Sequence, residues 1–464
     1  MRWIRRICWV LFVIIYLTTC PLLILYALGY VLKPGSEQGI VKTGLIAIST
    51  NPPGAAVYLG NRRYTKRTPT VLRNLLPGEY SIKLVLKHHQ PWTRTVAVEA
   101  QRATALNHIL LLPQRLREDV LLAEPFEDLI PIGGRFLLLR STTRTGDAVV
   151  FDVKTRHSWP LVPMDSPYAR TKLLGHVTIP ESPSLLLRIS GPTGEQLLWI
   201  DRLEQDAPVE DVTRLIPKRP TLMGWDSSSR GHLFVLQGNT LIRVDLAEKA
   251  VYPTFLEDVR GYGVSNRMLY ALMMDGTLVR MDLEGKAKER LLETAIPIRP
   301  LFGRQGAFRI MVGEHDAILF LGERGELLAG RLPYRFVDRD VVGVDWLPPN
   351  QLLLWTREQL GVLEFPEAPA GEEVTESLPE LQWVLKRRVN LEQAFWVFHG
   401  SHVVFRDDTQ VFLLELDPDG IAQPALLLHV KKQSAVMYSD ETGALYYLDR
   451  STGELRTIQL IPAR

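Results

Sequence analysis

From Ile7 to Leu32 the chain carries no charged residue and is almost wholly apolar. A helix of that length, rising about 1.5 Å per residue, exceeds the roughly 30 Å hydrocarbon core of a bilayer. The pattern therefore predicts a membrane-spanning helix. Past Lys33 it changes to alternation. Leu45 to Ser49 and Ala55 to Leu59 read as strands about the turn Asn51-Pro52-Pro53-Gly54, and Tyr80 to Leu86, Thr95 to Val98 and Leu106 to Leu112 continue the series. This predicts a small β-sandwich over residues 44–113, reached through a polar linker at 33–43.

From Val120 onward a different unit recurs: an apolar strand, a polar turn, and a second strand ending near an acidic residue. Leu233 to Asp245 and Leu269 to Asp282 are the clearest copies; Phe136 to Asp152, Leu185 to Asp201, Ile318 to Arg331, Leu352 to Glu364, Val403 to Glu415 and Val436 to Asp449 follow the same outline. The second strands end at 152, 201, 245, 282, 331, 364, 415 and 449, an average step of about 42 residues, the period of a four-stranded propeller blade. Candidate inner strands precede several hairpins, as at Val259 to Tyr262 and Phe308 to Val312, and candidate outer strands follow, as at Val251 to Phe255 and Glu454 to Leu460. The fold class expected is all-β: an N-terminal transmembrane helix (1–32 with its basic tip), a small sandwich, a short linker at 114–119, and a closed β-propeller of seven or eight blades over 120–464. The acidic, Pro- and Ala-rich stretch 366–380 reads as a surface loop within it.

The sandwich resembles a known family. Pro52-Pro53-Gly54-Ala55, then Val57-Tyr58, Thr68-Pro69 and Leu76-Pro77-Gly78-Glu79-Tyr80 follow the order and spacing of the PEGA domain of bacterial envelope proteins. Pro53 stands where that motif has an acid, Arg67 where a glycine usually precedes Thr-Pro, and His88-His89 where Gly-Tyr is common. The resemblance implies an extracytoplasmic binding or packing module with no catalytic residues. On physical grounds Gly54 and Gly78 supply turn conformations, and Pro69 and Pro77 stiffen loops.

Composition narrows the function classes. The 464 residues hold 54 Lys+Arg against 52 Asp+Glu, a net charge of +2, which argues against a nucleic-acid partner bound by phosphate neutralisation. Arg2, Arg5 and Arg6 lie ahead of the apolar run. Under the positive-inside rule they keep the N-terminus cytoplasmic and send the rest of the chain outside, to the periplasm or cell surface. Cys8 and Cys20 both fall inside the run, so no disulfide scaffold, cysteine-ligated metal or cysteine nucleophile is available beyond it. Two processing alternatives compete with a retained anchor: cleavage after Ala27-Leu28-Gly29, and lipidation of Cys20 after Leu17-Thr18-Thr19.

Chemical motifs are few. No G-x-S-x-G, H-E-x-x-H, P-loop or G-x-G-x-x-G pattern appears in a suitable context. His399-Gly400-Ser401-His402 could offer two imidazoles, Asp417-Pro418-Asp419-Gly420 resembles part of a calcium loop, and His88-His89 sits at a hairpin end; each also reads as an ordinary polar turn. Asp152, Asp201, Asp245, Asp282 and Asp449 recur at one point of the repeat and read as turn caps. Trp225, Trp346, Trp355 and Trp396 could form a carbohydrate platform or pack between blades, the latter being favoured. No catalytic, cofactor or metal site is expected.

The function expected from sequence is a membrane-anchored, non-enzymatic scaffold of the cell envelope. The bilayer would hold residues 7–32, and the propeller would meet an envelope protein, peptidoglycan or polysaccharide. The alternative is an anchored propeller enzyme, a glycoside hydrolase or lyase, with carboxylates converging on the channel.

Overall fold

The computed structural model describes residues 2–27, 30–32, 40–142, 148–169, 171–178, 183–191, 194–226, 229–286, 288–291, 306–313, 317–330, 335–365, 379–386, 390–416 and 424–461. The loop at 366–380 lies outside these residues except at its last two positions, as do most of the 33–43 linker, Leu28-Gly29 and the Asp417-Gly420 turn. Two compact units emerge, one of residues 1–117 with 460–463, the other of residues 118–459.

The apolar run forms α1 (Arg2–Ala27), and here the expectation is corrected. Among the described residues no helix is long and apolar enough to cross a membrane. The helix and the uncharged stretch do not coincide. Arg2, Arg5 and Arg6 are wound into the first turns of α1, Pro21 interrupts its hydrogen-bond ladder, and the helix stops at Ala27. The last residues of the uncharged stretch, Tyr30–Leu32, pair instead as a strand with Ile40–Lys42. The single-pass anchor, its orientation by Arg2, Arg5 and Arg6, and the placement of the remaining chain outside a membrane fall with it.

The sandwich builds two sheets. Thr70–Leu75, Gly44–Asn51 and Ala103–Leu110 form one, in that order, and Arg62–Arg67, Ala56–Leu59, Gly78–Val85 and Trp92–Val98 form the other. Alternation decides which face is buried: Ile46 and Ile48 from the first sheet meet Val57, Ile82, Leu84, Val96 and Val98 from the second in one core. Gly44–Asn51 runs parallel to Ala103–Leu110. Gly44 is required there, because a Cβ at that position would collide with the Glu99 carbonyl and lie 2.6 Å from Val98 Cγ1.

The second unit contains eight four-stranded meanders. Blades 1 to 7 span residues 126–160, 172–211, 222–256, 259–290, 308–338, 343–386 and 391–429, each with its strands in sequence order from inside to outside. Blade 8 takes Met437–Ser439, Ala444–Leu448 and Leu455–Gln459 from the C-terminal end and Glu118–Leu122 from the other end of the unit, paired antiparallel with Leu455–Gln459. The ring is thus closed by strand exchange. This shifts the last sequence repeat by one strand: Val436 to Asp449 is the first hairpin of its blade, and Glu454 to Leu460 is the third strand, not the outer one.

Blades 4 and 5 depart from simple radial packing. Their inner strands, Val259–Ser265 and Phe308–Val312, pair in parallel, fusing two blades into one eight-stranded sheet. Gly261 and Gly263 permit it, since a Cβ at Gly263 would run into the Ile310 carbonyl. Between blades the core is aliphatic and aromatic, with Leu137, Phe151 and Tyr446 between blades 8 and 1, and Leu353, Phe405 and Trp396 between blades 6 and 7.

Candidate binding face of the propeller

In a meander blade the link from second to third strand and the link from outer strand to the next inner strand leave by the same end of the sheet. All eight blades therefore present these links on one face, here termed the connection face. Several inner strands begin there with a β-bulge. The pairing register slips across Glu127, Arg260 and Glu392, the second positions of the inner strands in blades 1, 4 and 7, and across Leu174, the third position in blade 2. A bulge re-aims one side chain out of the ladder. Glu127 and Leu174 turn to solvent, while Arg260 is buried with its guanidinium 5.3 Å from the Phe308 ring.

Two cavities open on this face. One of about 380 Å³ lies between blades 1 and 2 and is lined by Trp159, Pro160, Leu161, Tyr168, Leu173 and Leu187, with Met164 at its edge. The other, about 250 Å³, crosses blades 3 to 5 and is lined by Thr221, Asn239, Arg260, Met274, Ala307 and Glu323. Burial holds the Arg260 pKa below the usual arginine range, with Glu326 opposing. Four large apolar side chains are exposed at the links of this face: Met164 at 56%, Leu174 at 36%, Met274 at 40% and Val342 at 46%. The other exposed large apolar residues of the propeller, Val120, Val251, Tyr252, Trp383 and Leu426, belong to outer strands. Among the described residues none sits on the links of the opposite face. That face has a third cavity, of about 410 Å³, walled by charged groups including Arg135, Asp152, Arg202 and Glu204.

Three carboxylates of the inner strands, Asp128, Asp345 and Glu392, are held by partners. Asp128 accepts from Arg140 Nη2 at 3.1 Å and from the Leu129 amide at 2.9 Å; burial nevertheless raises its pKa. Asp345 accepts the Trp396 amide at 2.9 Å, and burial raises its pKa too. Glu392 pairs with Arg406 at 2.6 Å. These acids stand on blades 1, 6 and 7, each bound within its own or the adjacent blade.

The residues singled out from sequence settle as follows. His399 is exposed and His402 is buried at 3% on the next strand, so their imidazoles part company. Ser401 Oγ donates to the Phe398 carbonyl at 2.9 Å and lies 2.9 Å from His402 Nδ1. Burial pushes His402 down to about 4. His88 has a left-handed backbone and His89 packs by its backbone against Pro113, a hairpin end. Trp225, Trp346, Trp355 and Trp396 all belong to blade cores.

Four of the five recurrent acids cap turns with their own carboxylates. Asp152 accepts the Lys154 amide, Asp245 that of Glu248 and Asp282 that of Lys286. Burial alone would raise Asp449, but donors on Ser451 and Thr452 bring it down to about 2. Asp201 differs: its carbonyl, not its carboxylate, accepts from Ser184 Oγ at 2.6 Å.

The sandwich motif condenses around Thr68. The Ala55 amide donates to Thr68 Oγ1 at 2.9 Å, Thr68 Oγ1 lies 2.6 Å from Thr50 Oγ1, and Thr50 Oγ1 donates to the Pro52 carbonyl at 2.8 Å. Backbone bonds from Gly54 to the Thr68 carbonyl and from Thr68 to the Ala55 carbonyl close the clamp. Pro52 and Pro69 follow cis peptide bonds, and Gly54 and Gly78 take φ of +95° and +149°. Pro53 and Pro77 occupy the flanking turns.

Residues 43–111 match the PEGA domain family. The PEGA-like unit ends where the strand Ala103–Leu110 does, and the match does not extend into the propeller. No curated protein matches the chain. Solved structures with related folds include PorZ, an essential bacterial surface component of the type-IX secretion system of Porphyromonas gingivalis, at 14% identity and a TM-score of 0.39, covering 71% of this chain and 42% of that one. BamB from Moraxella catarrhalis aligns at 14% identity and TM-score 0.39 over 74% of this chain and 100% of its own. The β-propeller domain of Cps50 (Swd1) from Myceliophteria thermophila aligns at 12% and 0.39 over 75% and 99%. At these identities the likeness is one of fold alone, and the eight blades stand on the chain's own sheet order.

The bulges and the connection face were not anticipated from sequence. The signal available was small: Leu173-Leu174 and Val259-Arg260-Gly261 break strict alternation just where an inner strand begins.

Proposed function

We propose that the chain is a non-enzymatic binding or scaffold protein whose propeller receives a protein partner on its connection face. The observation that carries this reading is the one-sided exposure of Met164, Leu174, Met274 and Val342 around two cavities. Apolar groups gathered on one face gain about 25 cal/mol per Å² when a partner covers them. Glycoside hydrolysis needs two carboxylates poised across one bond, and the engagement of Asp128, Asp345 and Glu392 by Arg140, the Trp396 amide and Arg406 supports binding over that chemistry. The burial of Trp225, Trp355 and Trp396 in blade cores, with Trp346 half-buried against one, supports a protein surface over a glycan. The motif residues Pro52, Pro53, Gly54, Ala55, Thr68, Pro69, Pro77 and Gly78 serve the turns of the sandwich and leave its outer faces for contact.

A photo-crosslinking amino acid placed in turn at Met164, Leu174, Met274 and Val342, and for comparison at Asn266 and Thr155 on the opposite face, tests the reading in the native host. Discrete protein adducts from the connection face alone are expected. Equal adducts from both faces, or sugar release from a polysaccharide panel, would overturn it.

A further inference from the structure

The near-neutral total hides a strongly basic sandwich. Residues 43–111 contain nine Lys and Arg against Glu79 and Glu99, a net charge of +7, and the chain total of +2 leaves −5 for everything else. Glu99 is itself held by Arg102 at 2.6 Å. The charge is concentrated at one place in the fold. The strand Arg62–Arg67 reads Arg-Arg-Tyr-Thr-Lys-Arg and is the edge of the four-stranded sheet, hydrogen-bonded to Ala56–Leu59 on one side and, among the described residues, to no strand on the other. All of it is exposed except Tyr64, which packs on the core.

Register carries the charge inward from the edge. Arg63 stands opposite Tyr58, and Tyr58 opposite Lys83, so the three form a cross-strand row on the outer face of the sheet. Arg67 stands opposite Ala56 on the same face. Arg62 stands opposite the core-packed Leu59 and so lies on the other side of the strand, 5.9 Å from the Tyr64 ring. The register shifts between Arg63 and Arg67, and the exposed Lys66 falls within that irregular stretch. A single lysine is enough to discourage chance edge pairing. Here both sides of the edge and the adjoining face are basic.

We infer that the edge strand Arg62–Arg67 is a docking site for an extended acidic segment of a partner protein, which adds to the sheet as a fifth strand. Main-chain hydrogen bonds along the open edge would supply sequence-independent affinity, as in other strand-addition complexes. Carboxylates would be accepted at successive positions, because Arg63 and Arg67 flank one side of the incoming strand and Arg62 the other, with the exposed Lys66 beside Arg67. The site is independent of the propeller face, so the two can fail separately.

The test uses the full chain and a fluorescein-labelled peptide of alternating Glu and Thr. Fluorescence anisotropy should show saturable binding, weakened about tenfold by Arg63→Gln with Arg67→Gln and unaffected by Val342→Glu. A peptide of the same charge broken by prolines should bind correspondingly more weakly, since it cannot form a ladder. Isotope-edited infrared spectra of the bound peptide should show strand absorption. Equal binding of the proline-broken peptide, or preference for phosphatidylglycerol vesicles or polyphosphate over the peptide, would overturn the inference. The unchanged circular dichroism of a milder Lys66→Gln variant, which should show a partial loss, separates lost binding from lost folding.

Discussion

Thr68 shows how much one hydroxyl can hold. It accepts the buried Ala55 amide and passes its own proton towards Thr50, whose proton goes to the Pro52 carbonyl, so two separated motif segments and the strand before them share one chain of hydrogen bonds. Thr68→Val keeps the shape and leaves the Ala55 amide without its partner. A loss of about 1–3 kcal/mol is expected in urea unfolding followed by Trp92 fluorescence, with little change for Thr93→Val on the exposed face. His402 makes a prediction in pH. Burial depresses its folded pKa to about 4 from an ordinary value near 6.5, so the unfolded chain takes up a proton first as pH falls. Stability contributed by the neutral imidazole is complete above about pH 6.5 and is lost on descent towards pH 4, by about 3 kcal/mol. His402→Gln should flatten the dependence of melting temperature on pH across that window; an unchanged slope would count against the assignment.

At the scale of elements, close approach and exchange matter more than propensity. Gly263 lets the inner strands of blades 4 and 5 pair in parallel, and Gly263→Ala would press a methyl group into the Ile310 carbonyl. A cost of about 3 kcal/mol or more is expected, with hydrogen exchange accelerated first at Val259–Ser265 and Phe308–Val312. Most strands were legible in the sequence because alternation reports a half-buried sheet directly, as Ile46 and Ile48 do. The closing strand was not. Glu118–Leu122 begins inside the stretch read as a linker, and its partners are at the far end of the chain, with Arg456 reaching Glu118 across 338 positions. No local pattern encodes such a pairing. The helix was legible and the strand after it was not: the apolar run says where α1 forms, but nothing in it marks Tyr30–Leu32 as a strand.

For the whole molecule, averages conceal what position reveals. A net charge of +2 reads as neutrality until the +7 of the sandwich is set against the −5 of the remainder. Likewise a list of exposed apolar residues carries little meaning until blade topology sorts it by face. The two proposed surfaces make opposite predictions with salt. Binding at Arg62–Arg67 should weaken steeply between low and physiological ionic strength, whereas binding on the connection face should be much less sensitive, since Met164, Leu174, Met274 and Val342 carry it. Met274→Glu with Val342→Glu should abolish partner crosslinking at the propeller and leave peptide binding at the sandwich intact.

Strand exchange in blade 8 also sets an order of events during synthesis. Glu118 leaves the ribosome 338 positions ahead of Arg456, which lies on its ladder partner Leu455–Gln459. Until then the ring has an open seam with a waiting strand on one side and an unfinished blade on the other. A transcript broken anywhere before the codon for Leu455 therefore yields a product with exposed β-edges, a ready substrate for proteases. Leu455–Gln459 thus acts as a check on the propeller alone, passed only when its own blade is complete.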